Sequence, residues 1–175
     1  MAANEQLRAF EAAALPHLDA AHNLARWLTR NDHDAEDLVQ EAYLRAFKFF
    51  GGFQGDDARA WLLAVVRNVC YTWLKKQHNR GPTTAFDEEL HSGQGESYNP
   101  ERLALQHADR QLLREVLEEL PVEYREVIVL RELEGCSYKE IAVIADIPLG
   151  TVMSRLTRAR KRLEQHLTRR LGKES

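Results

Sequence analysis

A chain of 175 residues, 44% hydrophobic and 29% charged, has enough apolar material for one large domain or two small ones. No stretch approaches the roughly 18 apolar residues that span a bilayer, and the start, MAANEQLRAF, lacks the basic and apolar regions of a secretory signal, so a cytoplasmic protein is expected. The net charge of −3 argues against nucleic-acid binding until it is mapped along the chain.

Leu, Ala, Glu and Arg dominate and alternating β-branched runs are missing, which predicts an all-α fold. Cys70 and Cys136 lie far apart in helical contexts and read as buried, reduced thiols rather than a disulfide or metal pair. The histidines lack ligand spacing; His17 and His22, five apart, do not share a helix face. No metal or cofactor site is expected.

In chain order, Asn4 to Arg30 is helical with a break or kink at Pro16. Asp32 or Asp34 is expected to cap the next helix, which runs to about Phe49 with Leu38, Val39, Ala42, Ala46 and Phe49 inward. Asp37, Gln40, Glu41, Leu44 and Lys48 occupy another face, which read alone is a solvated surface. A glycine-rich turn, Phe50 to Asp57, stops the helix.

Ala58 to Lys76 is the next helix, with Leu62, Val65, Val66, Val69 and Trp73 as its buried stripe. Arg67, Asn68, Tyr71, Lys75 and His78 form a second stripe. Cations beside an amide and an aromatic ring suit unstacked bases: the ring stacks, the amide reads a base edge and the cations hold phosphate. The aromatic residues here could equally be core.

Gly81 to Pro100, GPTTAFDEELHSGQGESYNP, has no helical repeat and reads as a flexible linker between two helical domains, residues 1–80 and 101–175. Fully extended it could reach about 66 Å, or roughly 19 base pairs of duplex at the usual rise. One molecule could then touch two sites at once.

After the linker, Pro100 or Glu101 to Glu119 and Val122 to Leu133 are helices separated by Pro121, with Gly135 as a C-cap. Ser137 and Glu140 make a capping box. Ile141, Ala142 and Ala145 give a short apolar face, Asp146-Ile147-Pro148 breaks it, and Pro148 suits the first position of a new helix. There Val152, Leu156, Ala159 and Leu163 should face inward. Helix, tight turn and basic second helix, residues 137–165, describe a helix-turn-helix whose second helix enters the DNA major groove. Its expected DNA contacts are Lys139, Thr151, Ser154, Arg155, Arg158, Arg160 and Lys161. This second domain is thus a four-helix unit.

Mapped, the charge is segregated. Residues 58–80 contain five Lys or Arg and no acid, and the stretch after Pro148 is strongly basic. Acid collects at Asp34 to Glu41 and Asp87 to Glu89. Two basic surfaces with acid between them imply two nucleic-acid contacts and at least one other partner.

Together these segments resemble a family. DAEDLVQEAYLRAF (Asp34 to Phe47), F-x-G (Phe53 to Gly55) and WLLAVVRN (Trp61 to Asn68) are similar to the second conserved region of bacterial sigma factors. LPVEYREVIVLRELEGCSYKEIA (Leu120 to Ala142) and IPLGTVMSRLTRAR (Ile147 to Arg160) resemble the fourth. With only a linker between them, the resemblance is to the extracytoplasmic-function (ECF) subfamily of the sigma-70 family.

That resemblance implies a non-enzymatic alternative sigma factor that binds core RNA polymerase and directs promoter-specific transcription initiation. By position, Asp37, Leu38, Gln40, Glu41 and Leu44 would dock on polymerase. The loop from Phe49 to Asp57, with Phe53, would hold a base flipped from the −10 element, and Arg67, Asn68, Tyr71 and Lys75 would flank the single strand. The helix from Pro148 would read duplex −35 DNA. An anti-sigma factor is an implied partner. The chain departs from the family at Met153, where some members carry Arg, and at Thr72, where many carry an acid. The alternative is a stand-alone helix-turn-helix regulator with a sensor or dimerisation domain over residues 1–80. The basic-aromatic stripe argues against it. For an enzyme there is neither a nucleophile–base pair nor a phosphate loop.

Overall fold

A computed structural model of the protein describes residues 2–53, 55–80 and 100–172, and among the described residues it is helical throughout, without strands. The linker expected at 81–100 lies outside the described residues except for Pro100, as does Gln54 in the glycine-rich turn.

α1 (Ala2–Ala14) meets a 3₁₀ turn, Leu15–His17, at Pro16, and α2 (Leu18–Thr29) follows, so the proline breaks the helix as its missing N–H predicts. α2 stops at Arg30, which adopts the left-handed conformation with φ 60°. α3 (Asp32–Phe49) is capped by Asn31, not by Asp32 or Asp34: the Asn31 side chain accepts the Asp34 N–H at 2.9 Å. Asn31 has extended dihedrals while Asp32 is already helical, and the Asp32 carboxylate pairs instead with Arg26 at 2.5 Å. Phe49, expected inward, is 64% exposed. The helix gives way at Phe50 to a 3₁₀ turn, Phe50–Gly52, and the Phe49 ring lies outside under the Lys48 ammonium. α4 (Ala58–Asn79) begins where Asp57 accepts the Ala60 N–H.

In the second half, α5 (Pro100–Glu119) ends before Pro121, and α6 (Val122–Ile128) widens into a π turn over Val129–Leu133. Gly135, at φ 65°, turns the chain where a side chain would be strained. α7 (Tyr138–Ala145) and α8 (Leu149–Gly172) follow, separated by Asp146 in the left-handed conformation.

α2, α3 and α4 enclose Leu24, Leu28, Val39, Ala42, Leu63 and Val66. A smaller cluster of Phe10, Ala14, Ala46 and Leu62 anchors α1. α6, α7 and α8 enclose Val127, Leu130, Ile141, Ile144, Val152 and Leu156. The core of the first half is continuous with that of the second, because α2 packs on α6 and α4 on α7. α4 is therefore covered on two flanks. That explains why Leu63 and Cys70, outside its expected stripe, are fully buried, while Val65 and Trp73 are only half-buried.

Candidate nucleic-acid interface

The helix-turn-helix is built by local signals. Both bonds of the capping box form: Ser137 Oγ accepts the Glu140 N–H at 3.1 Å, and Glu140 Oε1 accepts the Ser137 N–H at 2.8 Å. Pro148 stands one residue ahead of α8, where its carbonyl accepts the Val152 N–H at 3.1 Å. Val152, Leu156 and Ala159 are buried, with Leu163 half-buried beside them. Inward packing of this row fixes which side chains face out. Ser154, Arg158 and Lys161 are exposed along one face, and Lys139 is exposed on α7. Met153 is 51% exposed.

The remaining three expected contacts are placed differently. Thr151 is half-buried, and its carbonyl accepts the Ser154 hydroxyl at 3.2 Å. Arg160 is exposed but paired with Glu132 at 2.9 Å. Arg155 is half-buried, near enough for its charge to favour ionisation of Glu126. Of the expected contacts, three cations, Lys139, Arg158 and Lys161, therefore stand on the surface without an ion pair among the described residues.

On α4 the basic-aromatic stripe divides. Asn68, Lys75 and His78 are exposed. Arg67 and Tyr71 instead face the second half. The Arg67 guanidinium lies 3.8 Å from the Tyr71 ring centroid and donates from Nε to Glu126 Oε2 at 2.7 Å. Glu126, on α6, is 0% exposed. Burial pushes its carboxyl above the usual carboxylate range, against the hydrogen bond from Arg67. The Tyr71 hydroxyl is enclosed beside this pair without a well-formed hydrogen bond.

Other polar contacts join the halves. Arg59 donates from Nη2 to both Glu140 carboxylate oxygens, at 3.1 and 3.0 Å, and from Nη1 to the Glu134 carbonyl. Asn23 donates to Glu134 at 2.5 Å. Arg125, 4% exposed, donates to the Trp27 carbonyl in the last turn of α2, where a cation complements the helix dipole, and to the carbonyls of Glu118 and Leu120. Sequence reasoning missed Arg125 and Glu126, adjacent charges that give no local sign of burial.

Above α3 and α4 sits an aromatic set. Phe53 stacks on Phe50 at 6.3 Å and meets Trp61 at 4.9 Å, while Phe10 of α1 touches Phe47 and Phe50 edge-on. Phe53 and Trp61 are half-buried, so planar apolar surface remains at the loop.

The acidic face of α3 is open. Asp37, Gln40, Glu41 and Leu44 are all exposed, Leu44 to 72%. Leu38 is not part of this surface. At 8% exposed it belongs to the core beneath, since it falls on the same side of the helix as Ala35 and Ala42.

Both cysteines are buried and free, with burial pushing the Cys70 thiol up to about 12 and Cys136 to about 11. No described helix is long and apolar enough to cross a membrane.

Residues 14–80 match the family model of sigma-70 region 2, and residues 110–163 that of sigma-70 region 4. The ECF RNA polymerase sigma-E factor of Escherichia coli K12 is 41% identical over 138 residues, covering 75% of this chain and 72% of that protein. The ECF RNA polymerase sigma factor SigE of Mycolicibacterium smegmatis is 34% identical over 156 residues, 87% of this chain and 59% of its own length. Among solved structures, the sigma factor RpoE of Bartonella quintana, in complex with the anti-sigma factor NepR, superposes with a TM-score of 0.75. That match has 30% identity and covers 92% of this chain and 98% of that one.

Proposed function

The chain belongs to the ECF sigma factors of RNA polymerase, and on that premise we propose how its surfaces divide the work of promoter recognition. It is an alternative sigma factor that directs promoter-specific transcription. It performs no chemistry of its own and works in the cytoplasm with core polymerase, promoter DNA and an anti-sigma factor as partners.

The exposed face of α3, with Asp37, Gln40, Glu41 and Leu44, docks on core polymerase. An acidic surface with a projecting leucine offers charge complementarity around an apolar anchor. Asn68 and Lys75 on α4, with Arg67 and Tyr71 behind them, line the melted −10 strand. Phe53 in the aromatic loop receives a flipped base, whose extraction costs a few kcal/mol. Lys139, Arg158 and Lys161 hold phosphates of the −35 duplex, and Ser154 and Arg155, early in α8, lie toward base edges.

The observation that carries this reading is the presence of both sigma regions in order on one chain, the second ending in a fully capped helix-turn-helix. A stand-alone regulator has no use for an open acidic docking face, and that alternative is not favoured. Changing Asp37 and Glu41 together to Lys tests the docking assignment. Affinity for core should fall while helicity and melting temperature hold, because exposed changes of this kind move stability by about 0.5 kcal/mol or less. Unchanged affinity would return the face to plain solvent surface.

A further inference from the structure

The first three turns of α8 offer few hydrogen-bond donors to DNA. The Ser154 hydroxyl donates to the Thr151 carbonyl at 3.2 Å and the Thr157 hydroxyl to the Met153 carbonyl at 3.0 Å, so both protons are held by the helix itself. Arg155 is half-buried and Gly150 has no side chain. Of the exposed residues in these turns, Arg158 is the one whose side chain keeps its donors clear of any hydrogen bond among the described residues. Reading by base-edge hydrogen bonds is therefore sparsely provided for.

What these turns do present is apolar. Leu149 and Met153 are exposed, and with Thr157 they recur at intervals of four, so they form one ridge along the helix. Because the Thr157 hydroxyl is tied to the Met153 carbonyl, the part of that exposed side chain left to meet a ligand is its methyl group. The buried row of Val152, Leu156 and Ala159 faces the core, which leaves the ridge on the surface. Eight residues at 1.5 Å each make it about 12 Å long, the width of the major groove that the second helix of a helix-turn-helix enters. Gly150 beside Met153, and Ser154 beside Thr157, are small neighbours three residues away on the helix surface, so nothing bulky stands between the ridge and a base edge. In that groove an exposed methyl group marks thymine alone among the four bases. We propose that Met153, with Leu149 and the Thr157 methyl, reads thymine C5-methyl groups in the −35 element. The proposal rests on the reading of α8 as the −35 helix and adds the base that the helix selects.

The test uses holoenzyme reconstituted from core polymerase and the full chain. Promoter duplex randomised over the −35 and −10 elements is selected for binding. Each thymine of the recovered −35 element, on either strand, is then replaced by deoxyuridine, which keeps the pairing and the O4 acceptor and loses only the methyl. At least one replacement should weaken wild-type binding about fourfold, the value of one buried group of that size. Met153→Ala should bring the same penalty below about twofold, whereas Met153→Leu, still apolar, should retain it. Thr157→Ser keeps the hydroxyl and loses the methyl, so it should shrink the penalty, and Thr157→Val should not. Met153 and Thr157 are exposed, so these variants should keep the wild-type fold and melting temperature by circular dichroism.

A selected −35 element without thymine, a deoxyuridine series without effect, or a penalty undiminished in Met153→Ala would overturn the thymine reading. Weaker binding of Met153→Ala to core polymerase, with thymine preference intact, would overturn it too and set the ridge against a protein. Failure of the −35 assignment itself looks different. Wild-type holoenzyme would then show no preference at any −35 position and would bind a scrambled element as well as the selected one.

Discussion

Replacing Lys161 with Ala should flatten the salt dependence of −35 binding by a calculable amount. Seven residues of the helix-turn-helix could be assigned to DNA from the sequence, and burial and pairing leave Lys139, Arg158 and Lys161 as the free surface cations among those seven. Three neutralised phosphates give a slope of log affinity on log salt of about −2.7, so raising salt from 50 to 200 mM costs about 40-fold. Without Lys161 the slope falls to about −1.8 and the same change costs about 12-fold. Arg160, already neutralised by Glu132, should leave the slope nearly unchanged when replaced by Ala. The assay is equilibrium binding of reconstituted holoenzyme to promoter duplex across a salt series, with wild-type and scrambled −35 elements. Polymerase contributes its own slope, so the quantity read is the variant-minus-wild-type difference, about +0.9 for Lys161→Ala. Equal flattening by Arg160→Ala, or none by Lys161→Ala, would refute the division of cations read from burial.

Asn68→Ala should slow promoter melting, followed by permanganate reactivity of the −10 thymines, more than it weakens closed-complex binding; equal loss on a pre-melted bubble would point to a general defect. Leu156→Ala removes a fully buried side chain and should cost about 2–5 kcal/mol in urea unfolding; a cost under about 1 kcal/mol would mean α8 is not packed as described. Although burial acts to raise it, bonds from the Ser137 N–H and Arg59 hold the Glu140 carboxyl down to about 2. A depressed folded value adds stability above the ordinary 4.5 that is lost as pH falls through about 2. The melting-temperature gap between wild type and Glu140→Gln should therefore be constant above pH 4.5 and close toward pH 2, and a gap independent of pH would contradict the pairing.

Features written in short stretches of sequence were legible. The capping box at Ser137, the break at Pro16, the turn at Gly135 and the apolar row of α8 each depend on residues within a turn or two, and each is found where expected. Errors arose where neighbouring residues of similar chemistry compete. Asn31, Asp32 and Asp34 can all cap a helix, and only the backbone dihedrals decide among them. Phe49 continues the α3 stripe by spacing, but the chain turns one residue later and takes it out of the core. Least legible was the mutual packing of the halves. Arg67 with Glu126 and Arg125 with Trp27 are separated by 59 and 98 residues, and nothing in either segment marks its charges as buried. The second flank of α4 held the one available sign: Leu63 and Cys70, beside the expected stripe, give that helix more apolar face than one half of the chain can cover.

The most direct test of promoter direction is transcription by core polymerase purified free of other sigma factors, with and without this chain, on a library of upstream fragments from the source genome, followed by sequencing of RNA 5′ ends. The full chain should make initiation converge on a small set of start sites sharing −35 and −10 elements, and the Asp37→Lys, Glu41→Lys variant should not. Start sites equally scattered with and without the chain, while the chain alone binds upstream duplex tightly as a symmetric dimer, would contradict it.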